Sequence, residues 1–318
     1  MGKFIIKRLM YAILTLFIIS SLTFFLIRLI PGNPIESMTE KMPEQVRTQI
    51  YQQYGFDQSH WVQYKLFWKQ FIESGDLGES LKYRGRKVTD TILNYAPVSG
   101  QLGGQALVIG LIFGVSLGLL AGLNRGRRID HLVTLIAILG VSIPSFILAS
   151  LFQYYFAIKL NWFPITGWEG FHYTILPSIA LSFYSTAKYA RYMRATCLEI
   201  VNQDYILTAR AKGASEWRIV RKHIMRNSMM PIITLLGPQI AMMFGGSFVI
   251  ENIFSIPGLG YYFVSSVSDR DYTMIMGQTL FMAALYIASL LLVDIVYGLI
   301  DPRVRVSEKS FRSESYGK

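Results

Sequence analysis

The sequence predicts an all-α polytopic membrane protein with six membrane-spanning helices. Hydrophobic residues make up 52% of its 318 positions and the mean hydropathy is +0.35, too apolar for a soluble domain whose polar residues must cover its surface. Five apolar runs approach or exceed the roughly 20 residues that a helix rising ~1.5 Å per residue needs to cross ~30 Å of hydrocarbon. They cover residues 9–30, 100–123, 132–158, 232–250 and 273–300. A sixth run, 175–195, is weaker because Lys188, Arg191 and Arg194 crowd its end, although such long side chains snorkel to the interface. Six spans place both termini on one side.

Lys3, Lys7 and Arg8 ahead of the first run imitate a signal peptide. The run is too long for one and no small-x-small cleavage site follows, so residues 1–30 read as an inner N-terminus and a retained first span. Residues 31–98 are polar, with 8 basic and 8 acidic side chains, and read as a small helical extracellular cap with helices over 44–54 and 60–74. Within the latter, Trp61, Tyr64, Phe67, Trp68 and Phe71 recur at three- and four-residue spacing and form one aromatic face. That face suits packing onto the cap or the lipid interface, or contact with an external partner or substrate.

The second span carries Gly110, Gly114, Gly118 and Gly122. Four-residue spacing puts them on one helix face, where glycine permits close helix–helix approach at a cost in helix propensity. Gly114-Val115-Ser116-Leu117-Gly118 matches the hydrolase nucleophile elbow in form, but that elbow needs a strand-to-helix turn, which the middle of a spanning helix does not supply. Residues 99–300 read as the core of spans two to six and 301–318 as an inner tail.

Charge distribution fixes the orientation and excludes nucleic acid as the source of the net +11. With both termini inside, segments 1–8, 124–130, 188–230 and 301–318 hold 20 of the 31 Lys and Arg and 7 acidic residues. The remainder holds 11 basic and 13 acidic residues. The basic excess is the positive-inside pattern and requires no nucleic-acid partner.

Little points to chemistry in the chain itself. Cys197 is the single cysteine, which excludes an internal disulfide. His60, His131, His172 and His223 lack ligand spacing, so no metal site is expected. No G-x-x-x-x-G-K-[ST] sequence occurs, so ATP is not bound here. Asp294 is the one aspartate expected within a span; a relay would need several such groups, and a buried hydrogen-bond or salt-bridge role suits it better.

The stretch from Asp204 to Pro231 reads as two short helices around a turn. Asp204 is placed to cap the first, Gly213 to end it in a left-handed conformation, and Ser215 to cap the second. Glu216 sits at the second helix's positive end, with Arg221, Lys222, His223 and Arg226 toward its negative end. Ala209 and Gly213, four apart, leave a flat face for close approach by another protein; a merely solvated basic loop is the alternative.

This stretch resembles the cytoplasmic signature of ABC-importer permeases, in particular the oligopeptide and dipeptide permease family. The resemblance extends over nearly the whole chain through Arg28-Leu-Ile-Pro-Gly-Asn-Pro34, Gly75-Asp-Leu-Gly-Glu-Ser80, Glu251-Asn-Ile-Phe-Ser-Ile-Pro-Gly-Leu-Gly260, Arg270-Asp-Tyr272 and Asp301-Pro-Arg303. One departure is Leu207, which stands where the general signature opens with glutamate, so a glutamate-specific contact is not expected.

The resemblance implies a type I ABC importer permease in a bacterial cytoplasmic membrane, with both termini cytoplasmic. It further implies a heterodimer with a second homologous permease, two ATPase subunits that bind ATP and Mg, an extracellular substrate-binding protein, and a peptide as cargo. This chain would be a transport subunit and not an enzyme. The loop 197–230 would couple to the ATPase through Tyr205, Leu207, Thr208, Ala209, Arg210, Lys212, Gly213, Ala214, Glu216 and Arg218. Candidates for the pathway or gate are Ser142, Pro144, Ser145, Gln239, Ser247, Glu251, Pro257 and Gly258, with a tight external turn at 257–260. Alternatives are the same machinery carrying a nickel chelate or glutathione, a proton-coupled secondary transporter, and an intramembrane enzyme.

Overall fold

The computed structural model describes the chain except residues 1, 30–38, 40, 41, 54, 84 and 301–318; for residues 2–5, 7, 53 and 294–300 it describes the backbone alone. Residues 30–34, the side chain of Asp294, Asp301-Pro-Arg303 and the tail therefore lie outside the described residues. Among those described there is no strand, only an isolated antiparallel bridge between Glu79 and Lys87.

The helices are α1 (Gly2–Arg28), α2 (Glu44–Gln53), α3 (His60–Ser74), α4 (Val88–Leu123), α5 (Arg128–Ser142) and α6 (Ser145–Phe152), the last continued by a π-helical segment Gln153–Lys159. There follow α7 (Phe171–Val201), α8 (Asp204–Ala211) and α9, which starts as Glu216–Ile219 and runs through π-helical Val220–Met225 to Arg226–Ser228. The last described helices are α10 (Met230–Gly245), α11 (Phe248–Ile253), α12 (Leu259–Ser268) and α13 (Tyr272–Ile300).

Three described helical stretches are long and apolar enough to cross a membrane: Arg8–Arg28, Val88–Leu123 and Tyr272–Val293. The number is five if each of two bent helix pairs counts as one span. The run 132–158, expected to be continuous, turns through 101° between α5 and α6. Its cause is local. The Pro144 ring disfavours the helical conformation in the preceding residue, and Ile143 is extended at φ −87°, ψ 120°. The second bent pair, α9 with α10, turns through 49°. α7 falls outside both sets.

The chain forms two compact units. The first comprises Met1–Gln101, Thr166–Trp168 and Met243–Leu285. Its core joins Phe24 and Ile27 of α1, Tyr64 of α3, Leu81, and Tyr272, Ile275 and Met276 of α13. The aromatic face of α3 takes the packing role: Tyr64 meets Phe24 edge-on at 5.1 Å between centroids, Trp68 meets Phe17 at 5.6 Å and Trp61 meets Phe25 at 5.1 Å. Arg28 closes this packing. Its Nε and Nη2 donate to Gln63 Oε1 at 3.1 and 3.0 Å, and its guanidinium carbon lies 3.4 Å from the Phe24 ring centroid.

Two of the short motifs meet in this unit. Asp271 precedes α13 and accepts the Met274 N–H at 3.2 Å, a capping contact. The same carboxylate accepts the Leu81 N–H at 3.0 Å and the Ser80 hydroxyl. Upstream, Asp76 accepts the Gly78 N–H at 3.0 Å, and Gly75 (φ 65°) ends α3. Gly-Asp-Leu-Gly-Glu-Ser and Arg-Asp-Tyr are thus two halves of one hydrogen-bonded lock.

The second unit comprises Leu102–Ile165, Glu169–Met242 and Tyr286–Lys318. α4 lies along α7 through the glycine stripe. A Cβ at Gly110 would stand 2.5 Å from Ser185 Oγ, one at Gly114 2.6 Å from Tyr189 Cβ, one at Gly118 2.5 Å from the Ala190 carbonyl oxygen and one at Gly122 2.7 Å from Cys197 Cβ. Gly140 repeats the device between α5 and α7, where a Cβ would stand 2.8 Å from that of Ala187. Arg194 of α7 grips Asp130 of α5 with two hydrogen bonds, Nε–Oδ1 2.5 Å and Nη2–Oδ2 2.9 Å. Asp130 also accepts the Gly126 N–H at 2.9 Å. Tyr189, Met193 and Ile232 fill the space between α7 and α10.

Gly114→Val is expected to destabilise the protein by about 1–3 kcal/mol through overpacking. A lowered unfolding midpoint in detergent, read by intrinsic fluorescence, checks this; a midpoint equal to that of the parent protein contradicts the packing.

Candidate functional site

The segment from Asp204 to Pro231 folds onto the end of α7 through a small core of its own. Ile206 of α8 and Ile219 and Ile224 of α9 have no exposed surface and pack with Cys197 of α7. Burying a side chain of that size contributes about 1.5–3 kcal/mol, so three of them fix α8 and α9 firmly on α7. α8 ends in a Schellman turn: the Ala214 N–H donates to the Ala209 carbonyl at 3.1 Å and the Gly213 N–H to that of Arg210 at 2.9 Å. Gly213 takes φ 75° as the motif requires.

The helix starts differ from the expectation. Gln203 holds the position before α8, and Asp204 sits inside its first turn. There it favours the positive helix end without accepting a capping bond. Ser215 does precede α9, but its side chain makes no capping bond.

Arg210 and Glu216 join the two helices across the turn, Nε–Oε1 2.8 Å and Nη2–Oε2 3.2 Å. The Arg210 guanidinium holds the Glu216 carboxyl below its ordinary value. Both groups are exposed, so the pair contributes little, and that contribution, present above the carboxyl's unfolded value, is lost as pH falls through the lowered folded value. Tyr205 accepts from Asn227 Nδ2 at 3.1 Å.

Of the ten residues singled out here, Tyr205, Leu207, Thr208, Arg210, Lys212, Gly213, Glu216 and Arg218 are exposed. Ala209 and Ala214 instead pack against the isoleucine core. The flat outer face expected from Ala209 and Gly213 is therefore not present, because Ala209 lies three residues after Ile206 and shares its inward side. Trp217, outside the expected docking set, is 73% exposed, high for so large an apolar side chain. Its one signal was an aromatic residue within an otherwise charged turn.

The other candidates fall in separate places. In the first unit, Glu251 has no exposed surface. It accepts the Ser99 hydroxyl at 2.7 Å, the Ser247 N–H at 3.2 Å and the Tyr261 N–H at 3.0 Å, with a further backbone bond from Gly260. Ser99 in turn accepts the Leu259 N–H at 2.8 Å. The carboxylate thereby occupies the positive end of α12 and satisfies N–H groups that its first turn leaves free.

Gly246, Gly258 and Gly260 make room for it, since a Cβ on any of them would come within 2.9 Å of its carboxyl group. Pro257 lies in the tight turn, closed by a Gly258 N–H to Ile256 carbonyl bond of 2.8 Å. Ser247 precedes α11. In the second unit, Ser142, Pro144 and Ser145 surround the α5–α6 bend, and Gln239 Oε1 accepts from the Tyr189 hydroxyl.

Glu251→Ala would leave a buried hydroxyl and several N–H groups without an acceptor, each costing about 1–3 kcal/mol. Amide hydrogen exchange over residues 247–261 is expected to accelerate at least ~10-fold as the loop opens locally; unchanged protection there would contradict the hub.

The family model described as binding-protein-dependent transport system inner membrane component matches residues 114–306. A second model, for the N-terminal part of binding-protein-dependent transport system membrane components, matches residues 1–99. The dipeptide transport system permease proteins DppB of Lactococcus lactis subsp. cremoris and Bacillus subtilis are 40% and 41% identical to this chain, covering 96% and 97% of it and 100% of their own lengths. The oligopeptide transport system permease protein OppB of Haemophilus influenzae is 40% identical, covering 96% of this chain and 100% of its own. Among solved structures, an amino acid ABC transporter crystallised with histidines superposes with a TM-score of 0.48 at 18% identity, over 68% of this chain and 94% of its own.

Proposed function

The chain belongs to the binding-protein-dependent transport system inner membrane components, and on that premise we propose that it is a membrane-spanning subunit of an ATP-driven importer of dipeptides or oligopeptides. It forms half of the translocation pathway beside a second, homologous permease. Two ATPase subunits hold ATP and Mg, and a substrate-binding protein delivers the peptide from outside. The full-length similarity to relatives named as dipeptide and oligopeptide permeases supports this cargo.

In this reading the fold is a type I importer permease. Its six spans are α1, α4, the bent α5–α6, α7, α10 and α13. Residues 31–98 form an extracellular cap, 99–300 the permease core and 301–318 a cytoplasmic tail. The basic excess of segments 1–8, 124–130, 188–230 and 301–318 sets both termini in the cytoplasm.

The observation that carries the proposal is the surface of α8 and α9: Tyr205, Leu207 and Trp217 stand exposed on helices whose inner faces are anchored to α7. Shifting a two-state gate from 1:99 to 99:1 takes ~5.5 kcal/mol of differential stabilisation. An exposed ion pair such as Arg210–Glu216 gives far less. Two or three large side chains buried in an ATPase cleft supply it, at about 1.5–3 kcal/mol each.

Leu207→Ala with Trp217→Ala is expected to cut recovery of the ATPase subunits with the membrane complex by more than ~10-fold, while the permease still inserts and pairs. Gly213→Trp, which strains the left-handed turn and fills the space beside it, is expected to do the same. Full ATPase recovery with all of these variants in a pull-down would sink the docking assignment.

A further inference from the structure

Within the second unit, a groove of about 760 Å³ runs lengthwise between α5 and α7. Tyr184, Lys188, Arg191 and Tyr192 line it from α7, and Thr134 and Ser142 from α5. Positions 184, 188, 191 and 192 recur at helical spacing and share one side of α7. Arg194, lower on the same wall, is neutralised by Asp130. Lys188 and Arg191 have no acidic partner among the described residues.

Another side of α7 is different in kind. There a smaller cavity of about 290 Å³ is walled by residues such as Phe113, Ile136 and Phe183, almost all apolar. One side of this helix thus suits hydrocarbon or another helix, and the other does not. Lys188 and Arg191, at the inner end of this span, need water or headgroups around their charges, because hydrocarbon would leave them unsolvated. The helical rise sets the scale: Arg191 and Lys188 stand about 4.5 and 9 Å above the Asp130–Arg194 pair, and Tyr184 about 15 Å. Ser142, at the other end, marks the α5–α6 bend.

We propose that this groove is the chain's share of the aqueous pathway, and that Lys188 and Arg191 form a two-step relay for the terminal carboxylate of the passing peptide. The proposal rests on the importer reading above and adds to it the group that is recognised. A free carboxylate is the one anionic feature that unmodified peptides share whatever their side chains. Two cations one helical turn apart meet it in succession, and the tyrosine and serine hydroxyls serve amide groups. Arg191 is exposed and Lys188 half-buried, so water screens both, and the contacts are weak enough to release the peptide.

The test uses the complete transporter in vesicles and compares ATP-driven uptake of trialanine with that of its C-terminal amide. Lys188→Gln with Arg191→Gln is expected to lower the acid-to-amide ratio of kcat/KM by roughly 3- to 10-fold relative to the parent complex. Lys188→Arg with Arg191→Lys is expected to preserve it. Any preference of the binding protein cancels in this comparison.

An unaltered ratio in the glutamine pair overturns the relay. So does a defect that appears only when anionic lipid is present, which would make the groove a headgroup site. Failure of the parent complex to take up either peptide with ATP would instead overturn the importer reading itself.

Discussion

The second unit depends on how closely α4 approaches α7. Glycine at four successive turns lets the two backbones meet where any side chain would collide with Ser185, Tyr189, Ala190 or Cys197. In a bilayer, where the hydrophobic effect does not drive helices together, such contact is a main source of association. Its consequences spread from α7. The same helix holds α5 through Gly140 and the Asp130–Arg194 pair, α10 through Tyr189 and Ile232, and α8 and α9 through Cys197. A force applied to α8 therefore reaches the groove wall through α7, since tightly packed contacts transmit displacement.

The first unit is organised by two buried carboxylates. Glu251 and Asp271 each sit at a helix start and each also accept bonds from a second segment distant in sequence, Ser99 in one case and Ser80 with Leu81 in the other. A carboxyl group that accepts several N–H and O–H bonds fixes all of its donors at once. This accounts for the composition of the two motifs that contain them. The glycines of Glu-Asn-Ile-Phe-Ser-Ile-Pro-Gly-Leu-Gly are small because a carboxylate occupies the space of their missing side chains.

Periodic features were legible in the sequence. The apolar runs, the helices expected at 44–54 and 60–74, the glycine stripe and the left-handed Gly213 all follow from spacing and from the conformational habits of single residues. Features set by tertiary neighbours were not. Hydropathy averages over a run and passes across Ile143-Pro144, although the proline rule at that dipeptide did hold the signal for the 101° turn. The inward side of Ala209 depended on where Ile206 found its core, and the burial of Glu251 on Ser99, a partner 152 positions earlier. Lys188 and Arg191 weakened a predicted span on paper; in space they make one side of α7 polar.

The lock between Leu81 and Asp271 spans 190 residues of sequence. A ribosome adding about 5–20 residues per second takes roughly 10–40 s to supply the acceptor after the donor has been made. During that interval Ser80 and Leu81 lack their Asp271 acceptor. The segment after α1 is thus among the first parts to be synthesised and among the last to be completed, and a chain truncated anywhere before Asp271 leaves its half of the lock open.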